Sequence, residues 1–385
     1  MISMKKNNVM IHTLRTAACL ILLGCLTGCT LNKSNTTSGD DGLNIIFLIG
    51  DGMGVPQVST AYYFGEGEPN FTRFRHIGFH QSWDLTHKVT DSAAGATAFS
   101  IGQKTYKRAI GVGIDSVPHE TIMELLQKDG YKTGLVSLTT ITHATPAAFY
   151  AHVTDRDLHD DIAAQLIEAD VDFIAGGGRK YMDKRADGQD LYSAFRQKGY
   201  QVDTSALSAP DNTKRNAYFL AEESLPSKIE GREEFLPEAT DMALKYLSTQ
   251  DEPFFLMVEG SYIDWAGHAE NAQMLIEEVK DFNKVLGIAM DFVEAHPNTL
   301  LVVTADHETG EVSLGKKYQP VATFGFRNEI PGELSVNFNS DQHSAELIPV
   351  FAMGPGAEAF QGIYQNKDIY HKIREVYSRQ TGRTK

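Results

Sequence analysis

Asp264 and His268, in Asp-Trp-Ala-Gly-His, place an acid and an imidazole four residues apart. On a helix that spacing shares one face, so the pair can grip a single divalent ion. Asp306 and His307 are adjacent; at a strand end, where the chain turns, both can reach inward. Asp51 stands between glycines in Ile-Gly-Asp-Gly-Met-Gly, a segment free to turn sharply with its carboxylate toward a ligand. His343 adds another imidazole just before an apolar run. Taken singly, each has an ordinary reading as a helix cap, a turn acid or a solvated loop histidine. Taken together, three histidines and at least three carboxylates suffice for two metal sites. Mixed nitrogen and oxygen ligation suits Zn²⁺, and an all-oxygen set such as Asp51, Thr145 and Glu259 suits Mg²⁺.

Ser92 opens the run Ser-Ala-Ala-Gly-Ala-Thr-Ala, small residues that fit a tightly packed helix. At a helix start the free N–H groups and the dipole favour an anion. A serine there is usually an N-cap; it becomes a nucleophile when a neighbouring cation lowers its pKa. Arg156 offers a planar fork that can hold two oxygens of a tetrahedral anion, which a lysine cannot; the plainer reading is a surface ion pair. The chain has no Gly-x-Ser-x-Gly elbow and no Gly-Lys-[Ser/Thr] phosphate loop, which argues against a triad hydrolase and a P-loop enzyme.

These residues need a scaffold that gathers them. Candidate strands cover residues 45–49, 133–138, 171–175, 254–258, 300–304 and 348–353, and candidate helices 120–128, 158–169, 234–247, 272–294 and 367–379. Leu275, Val279, Phe282, Leu286, Ala289 and Val293 recur at three- or four-residue intervals, a stripe made to pack on a sheet. Continuous apolar strands between helices predict an α/β fold, a mostly parallel central sheet with helices on both faces. Asp51, His143, Thr145, Glu259, Asp306 and His307 all follow strands, and open α/β sheets bind ligands at that edge. The chain of 385 residues carries 35 Lys+Arg against 50 Asp+Glu, net −15. A balance this acidic disfavours a nucleic-acid partner but not a phosphorylated substrate, because bound cations reverse the local field.

All three cysteines, Cys19, Cys25 and Cys29, lie near the N-terminus, after Lys5, Lys6 and Arg15 and around an apolar run. This reads as a signal peptide over residues 1–28. Leu26-Thr-Gly-Cys29 resembles a bacterial lipobox, which implies a lipidated Cys29, a polar tether to residue 43 and a catalytic domain over 44–385. The expectation is an exported lipoprotein, anchored by lipid in the periplasm, at the outer membrane or on the cell surface.

In order along the chain, Asn-Ile-Ile-Phe-Leu-Ile-Gly-Asp51-Gly-Met-Gly, Val-Thr-Asp-Ser92-Ala-Ala, Thr145-Pro-Ala-Ala with His152-Val-Thr-Asp-Arg156, Val-Glu259-Gly-Ser-Tyr-Ile-Asp264 with His268, Thr-Ala-Asp306-His307-Glu-Thr-Gly, and His343 resemble the motifs of the alkaline phosphatase family. The resemblance runs from about Asn44 to the last strand and implies hydrolysis of phosphate monoesters. Ser92 would carry a phosphoserine intermediate, with inorganic phosphate as the product. Asp264, His268 and His343 would hold one zinc. Asp51, Asp306 and His307, with Ser92, would hold a second. Asp51, Thr145 and Glu259 would hold magnesium, and Arg156 would clamp phosphate. Two ions roughly 4 Å apart suit both halves of an in-line displacement. Two positions vary among members. His143 would ligate the third ion and shift that site toward Zn²⁺ or Co²⁺. Trp265 would remove a polar group that anchors water. The short stretch between His307 and His343 leaves no room for a large crown insertion. A sulfatase is contradicted by Ala-Ala-Gly-Ala after Ser92, and a diesterase by Arg156; a ligand-storing lipoprotein leaves Ser92 without a purpose.

Overall fold

The computed structural model describes residues 42–320 and 327–383. The signal segment and Cys29 lie outside them. The strands are β1 (Asn44–Ile49), β2 (His76–Gln81), β3 (Lys132–Thr140), β4 (Phe173–Gly177), β5 (Tyr200–Asp203), β6 (Arg215–Phe219), β7 (Phe254–Glu259), β8 (Thr299–Thr304), β9 (Glu308–Thr309), β10 (Ser313–Pro320), β11 (Arg327–Asn337), β12 (His343–Ser344), β13 (Leu347–Met353) and β14 (Gly362–Gln365). Ten of them form one sheet in the order β14-β2-β13-β8-β1-β7-β3-β4-β6-β5. Within it only β13 is antiparallel to its neighbours. The expected α/β architecture is therefore present, with β1 near the middle between β8 and β7.

The middle of the sheet is buried on both faces because its central strands β1, β7 and β8 are almost wholly apolar. Ile45, Phe47 and Ile49 pack into one core cluster and Ile46 and Leu48 into the other. The helices are α1 (Val55–Phe64), α2 (Ser92–Ile101), α3 (Ile122–Lys128), α4 (Ala144–Ala147), α5 (His159–Glu168), α6 (Lys180–Asp183), α7 (Leu191–Gln197), α8 (Phe235–Ser248), α9 (Tyr262–His268), α10 (Ala272–Ala295) and α11 (Asp368–Thr381). Helix α10 starts on an Asn271 cap that accepts from Met274 N and buries the whole predicted stripe. Each such side chain contributes roughly 1.5–3 kcal/mol before ordering entropy is subtracted.

All six predicted strands are found. Sequence reading missed four strands of this sheet: β2 and β14, which carry polar or exposed residues such as His76, Gln81 and Ile363, and β5 and β6, short segments that include Gln201, Asp203, Arg215 and Asn216. Among the described residues of 308–342 there is no accessory domain. They build an exposed antiparallel arm, β10 against β11. Among the described residues, no helix is long and apolar enough to cross a membrane.

Candidate active site

The ends of four parallel strands deliver most of the site. Asp51 follows β1, His143 and Thr145 follow β3, Glu259 ends β7, and Asp306 and His307 follow β8. His343 arrives from the opposite chain direction. Because β13 runs against its neighbours, its start lies where they finish, and a residue before that apolar run reaches the same edge as residues after the others. The short β12–β9 ladder then pins His343 opposite Thr309.

Gly52 makes this convergence sterically possible. Its φ is +71°, and a Cβ there would sit 2.7 Å from both the Asp264 Cα and the Thr309 Oγ1. Only glycine allows the Asp51 turn, α9 and β9 to meet this closely.

Three groups of ligand atoms result, each with its atoms within 4.8 Å of one another: Asp264, His268 and His343; Asp51, Asp306 and His307; and Asp51, His143 and Glu259. In the first, His268 Nε2 and His343 Nε2 approach Asp264 Oδ1 to 3.4 and 3.5 Å. In the second, His307 Nε2 lies 3.5 Å from Asp51 Oδ1 and 3.3 Å from Asp306 Oδ2. Asp51 belongs to two groups. His143 joins the third, while Thr145 Oγ1 is buried beside it without a hydrogen-bond partner.

The electrostatics of these groups call for a cation. Burial, then Asp306, Asp264 and Glu259, push the Asp51 carboxyl well above the usual range. Burial raises Glu259 to about 6, against hydroxyls of Ser137 and Ser261 that hold it down. Burial likewise raises Asp306 and keeps His307 and His143 neutral, well below an ordinary imidazole. Both oxygens of Asp51, Asp306 Oδ2 and Glu259 Oε1 are buried without a hydrogen-bond partner. Unpaired buried carboxylates are costly, and divalent ions at these three groups satisfy charge and lone pairs together. The residues present thus fit metal ions.

Neighbouring groups set the imidazole tautomers. His343 Nδ1 donates to Thr90 O at 2.9 Å and His268 Nδ1 to Asp341 O at 2.6 Å. Carbonyls only accept, so each Nε2 keeps its lone pair for the first group. Thr309 Oγ1 donates to Asp264 Oδ1 and therefore accepts from His307 Nδ1 at 3.2 Å. One hydroxyl thereby ties the first group to the second. Sequence reading quoted Thr309 within a motif but assigned it nothing; no residue type announces such a relay. Glu308 was missed as well. It is fully buried and accepts from Gln57 Nε2, Ser344 Oγ and Val312 N, bracing β9 against β12.

Ser92 is the first residue of α2, but it is not its cap. Asp91 takes that part, accepting from Ala94 N at 3.1 Å. The serine hydroxyl is left free to approach His307 Nε2, at 3.3 Å. Arg156 is held at both ends of its fork: Nη1 donates to Asp91 Oδ2 at 3.3 Å and Nη2 to His143 Nε2 at 3.0 Å. Trp265 packs edge-on against His143 and Tyr262 and lines the same cavity as Ser92, Arg156 and the first metal group. The structure brings every candidate residue of the domain to one place.

Comparison with known proteins agrees with this geometry. The alkaline phosphatase family profile matches residues 43–329. Alkaline phosphatase 3 of Bacillus subtilis is 36% identical over 72% of this chain, and the match spans 63% of that protein's length. Alkaline phosphatase 4 of the same organism is 29% identical over 86% of this chain and 88% of its own. An aspartate-for-histidine mutant of alkaline phosphatase from the Antarctic bacterium TAB5, with Mg bound in its M3 site, superposes with a TM-score of 0.85 at 44% identity, covering 88% of this chain and 99% of that one. Sequence, fold and the gathered ligand groups thus concur: the chain belongs to the alkaline phosphatase family.

Proposed function

We propose that this chain is a metal-dependent phosphomonoesterase that works through a phosphoserine on Ser92. The observation that carries the reading is the free Ser92 hydroxyl at the first turn of α2, against His307 and beside the tethered Arg156. In this reading Asp264, His268 and His343 hold one zinc. Asp51, Asp306 and His307, with Ser92, hold a second. Asp51, Glu259 and Thr145 hold magnesium, with His143 drawing that site toward a nitrogen-preferring ion. The magnesium in the TAB5 mutant, where aspartate replaces a histidine, supports giving the third group's metal preference to His143. Bound divalent ions would supply Lewis acidity and offset phosphoryl charge.

The chain's own groups do the rest. Arg156 orients a phosphate ester through two parallel hydrogen bonds, its plane fixed by Asp91 and His143. Ser92 Oγ bonds to phosphorus as the ester oxygen leaves with the electron pair and takes up a proton. The N–H groups opening α2 favour the anion that forms. Water then attacks phosphorus from the vacated side, Ser92 recovers its proton, and inorganic phosphate departs.

Turnover of p-nitrophenyl phosphate with and without a chelator, metal content by elemental analysis, and labelling with radioactive phosphate ester test the reading. Expected are metal-dependent turnover and a labelled protein; Ser92→Ala loses the label. Label persisting on that variant, or a fully metallated enzyme inert to monoesters, would overturn it.

The exported, lipid-anchored location is part of the same proposal and rests on the sequence around Cys29. Incorporation of labelled palmitate, lost in Cys29→Ser, checks it.

A further inference from the structure

The cavity over Ser92 measures ≈ 710 Å³, far more than one phosphoryl group fills. Its wall also opposes the charge of the molecule. Lys88, Lys107, Arg108 and Arg156 line it against two carboxylates, Asp91 and Asp264, in a chain of net charge −15. Both carboxylates are already engaged. Asp91 accepts from Ala94 N, Arg108 N and Arg156, and Asp264 sits in the first metal group. Arg156 serves the phosphoryl group, and Arg108 is paired with Asp155 and Asp157. Lys88 and Lys107 are left over. Both are exposed, and among the described residues neither has a carboxylate partner.

The two lysines are mounted on segments that are tied together. Leu85 N donates to Thr105 O at 2.8 Å, and Lys107 N donates to Thr86 Oγ1 at 3.3 Å. Thr86 Oγ1 in turn donates to Asp84 Oδ1 at 2.6 Å. Lys88 Nζ lies 5.3 Å from the Trp83 ring centroid, and the buried Lys104 lies 4.0 Å from the same ring. Two lysines without carboxylate partners on one cavity wall favour an anion, since a cleft with an excess of one charge concentrates the opposite one.

We infer that Lys88 and Lys107 form a second anion subsite, and that the favoured substrates are phosphomonoesters whose alcohol carries a further phosphate. The inference rests on the phosphomonoesterase reading and names its substrate class. One phosphate is held at Ser92 and Arg156, while the other, on the leaving alcohol, meets the two ammonium groups across the cavity.

The test compares adenosine 3′,5′-bisphosphate with adenosine 5′-monophosphate, using the metallated full-length enzyme and its Lys88→Gln/Lys107→Gln variant. Both side chains are exposed, so the variant folds, and circular dichroism verifies this. Wild type is expected to favour the bisphosphate in kcat/KM, and the variant to lose that preference by about tenfold, with p-nitrophenyl phosphate changed less than threefold. The preference should also shrink as salt rises from low to physiological strength. Equal loss on all three substrates, or a preference untouched by the double substitution, would overturn the subsite. Failure of the wild type to hydrolyse even p-nitrophenyl phosphate would instead count against the phosphomonoesterase reading. In that event, calorimetric binding of methylenebisphosphonate against methylphosphonate still decides the subsite: tighter binding of the former, lost in the variant, supports it, and equal binding refutes it.

Discussion

The two candidate zinc groups lie side by side yet are built differently. Asp51, Asp306 and His307 have no exposed surface and come straight off the sheet. Asp264, His268 and His343 come from α9 and the β12 ladder, and the side chains of His268 and His343 are 39% and 14% exposed. The closed group is created by folding and is short of positive charge until an ion enters. The open group lines the cavity over Ser92, where solvent and ligands reach it. The central sheet supplies the closed group, and a short helix with a two-residue ladder supplies the accessible one.

That contrast can be broken by mutation. Asp51→Asn should do the most damage, because Asp51 is shared by the closed group and the group containing His143 and Glu259. Turnover is expected to fall by more than 100-fold, above the range for removing a mere supporting contact, and elemental analysis should show at least two ions lost. His268→Ala should remove only the open group's ion. If it strips the closed group as well, the two are one cooperative unit and the contrast fails.

Thr309→Val tests the hydroxyl that joins them. Without the donor to Asp264 and the acceptor for His307 Nδ1, calorimetric titration of the metal-free protein should show metal affinity weakened by about 10–100-fold. Thr309→Ser should restore it. Weakening confined to one group would mean that the hydroxyl serves only that side.

The smallest effect concerns stability beneath the closed group. His80 on β2 donates from Nε2 to Ala305 O at 2.9 Å, next to Asp306. Burial lowers its pKa to about 4, against the opposing pull of that carbonyl. A depressed folded pKa means that the unfolded chain binds the proton first, so stability present above pH ~6.5 is lost as pH falls toward ~4. The full loss is up to about 3 kcal/mol. Thermal melts of metal-free His80→Phe should show a shallower decline over that window than the parent; an identical slope would remove His80 from the account.

Much of this architecture is legible in the sequence alone. The strands stood out because each is apolar on both faces, and a stripe such as Leu275 to Val293 identifies a sheet-packing helix. Asp51, Glu259, Asp306 and His307 could be placed because residues after parallel strands share an edge. Strands β2, β5, β6 and β14 were not readable, since short segments interrupted by polar residues carry no continuous apolar run. Thr309 and Glu308 were not readable either. Their importance is a matter of which atoms meet across distant segments, and an ordinary threonine or glutamate looks the same whether it bridges two ligands or faces water. The cap at α2 fell between the two: a helix start was plain, but whether Asp91 or Ser92 closes it depends on one hydrogen bond.

Strand β1 aligns Ile49 with Thr304 on one side and with Glu259 on the other. Asp51, Asp306 and Glu259 are thus three legs of a single tripod whose feet are neighbouring strands. Slippage of the middle strand would splay all three legs together, so the centre has no half-broken form to visit. Gradual adjustment of the catalyst, to a bulkier ester for example, is left to the periphery: the wall with the lysines, the tryptophan, and the short ladder that carries the last histidine.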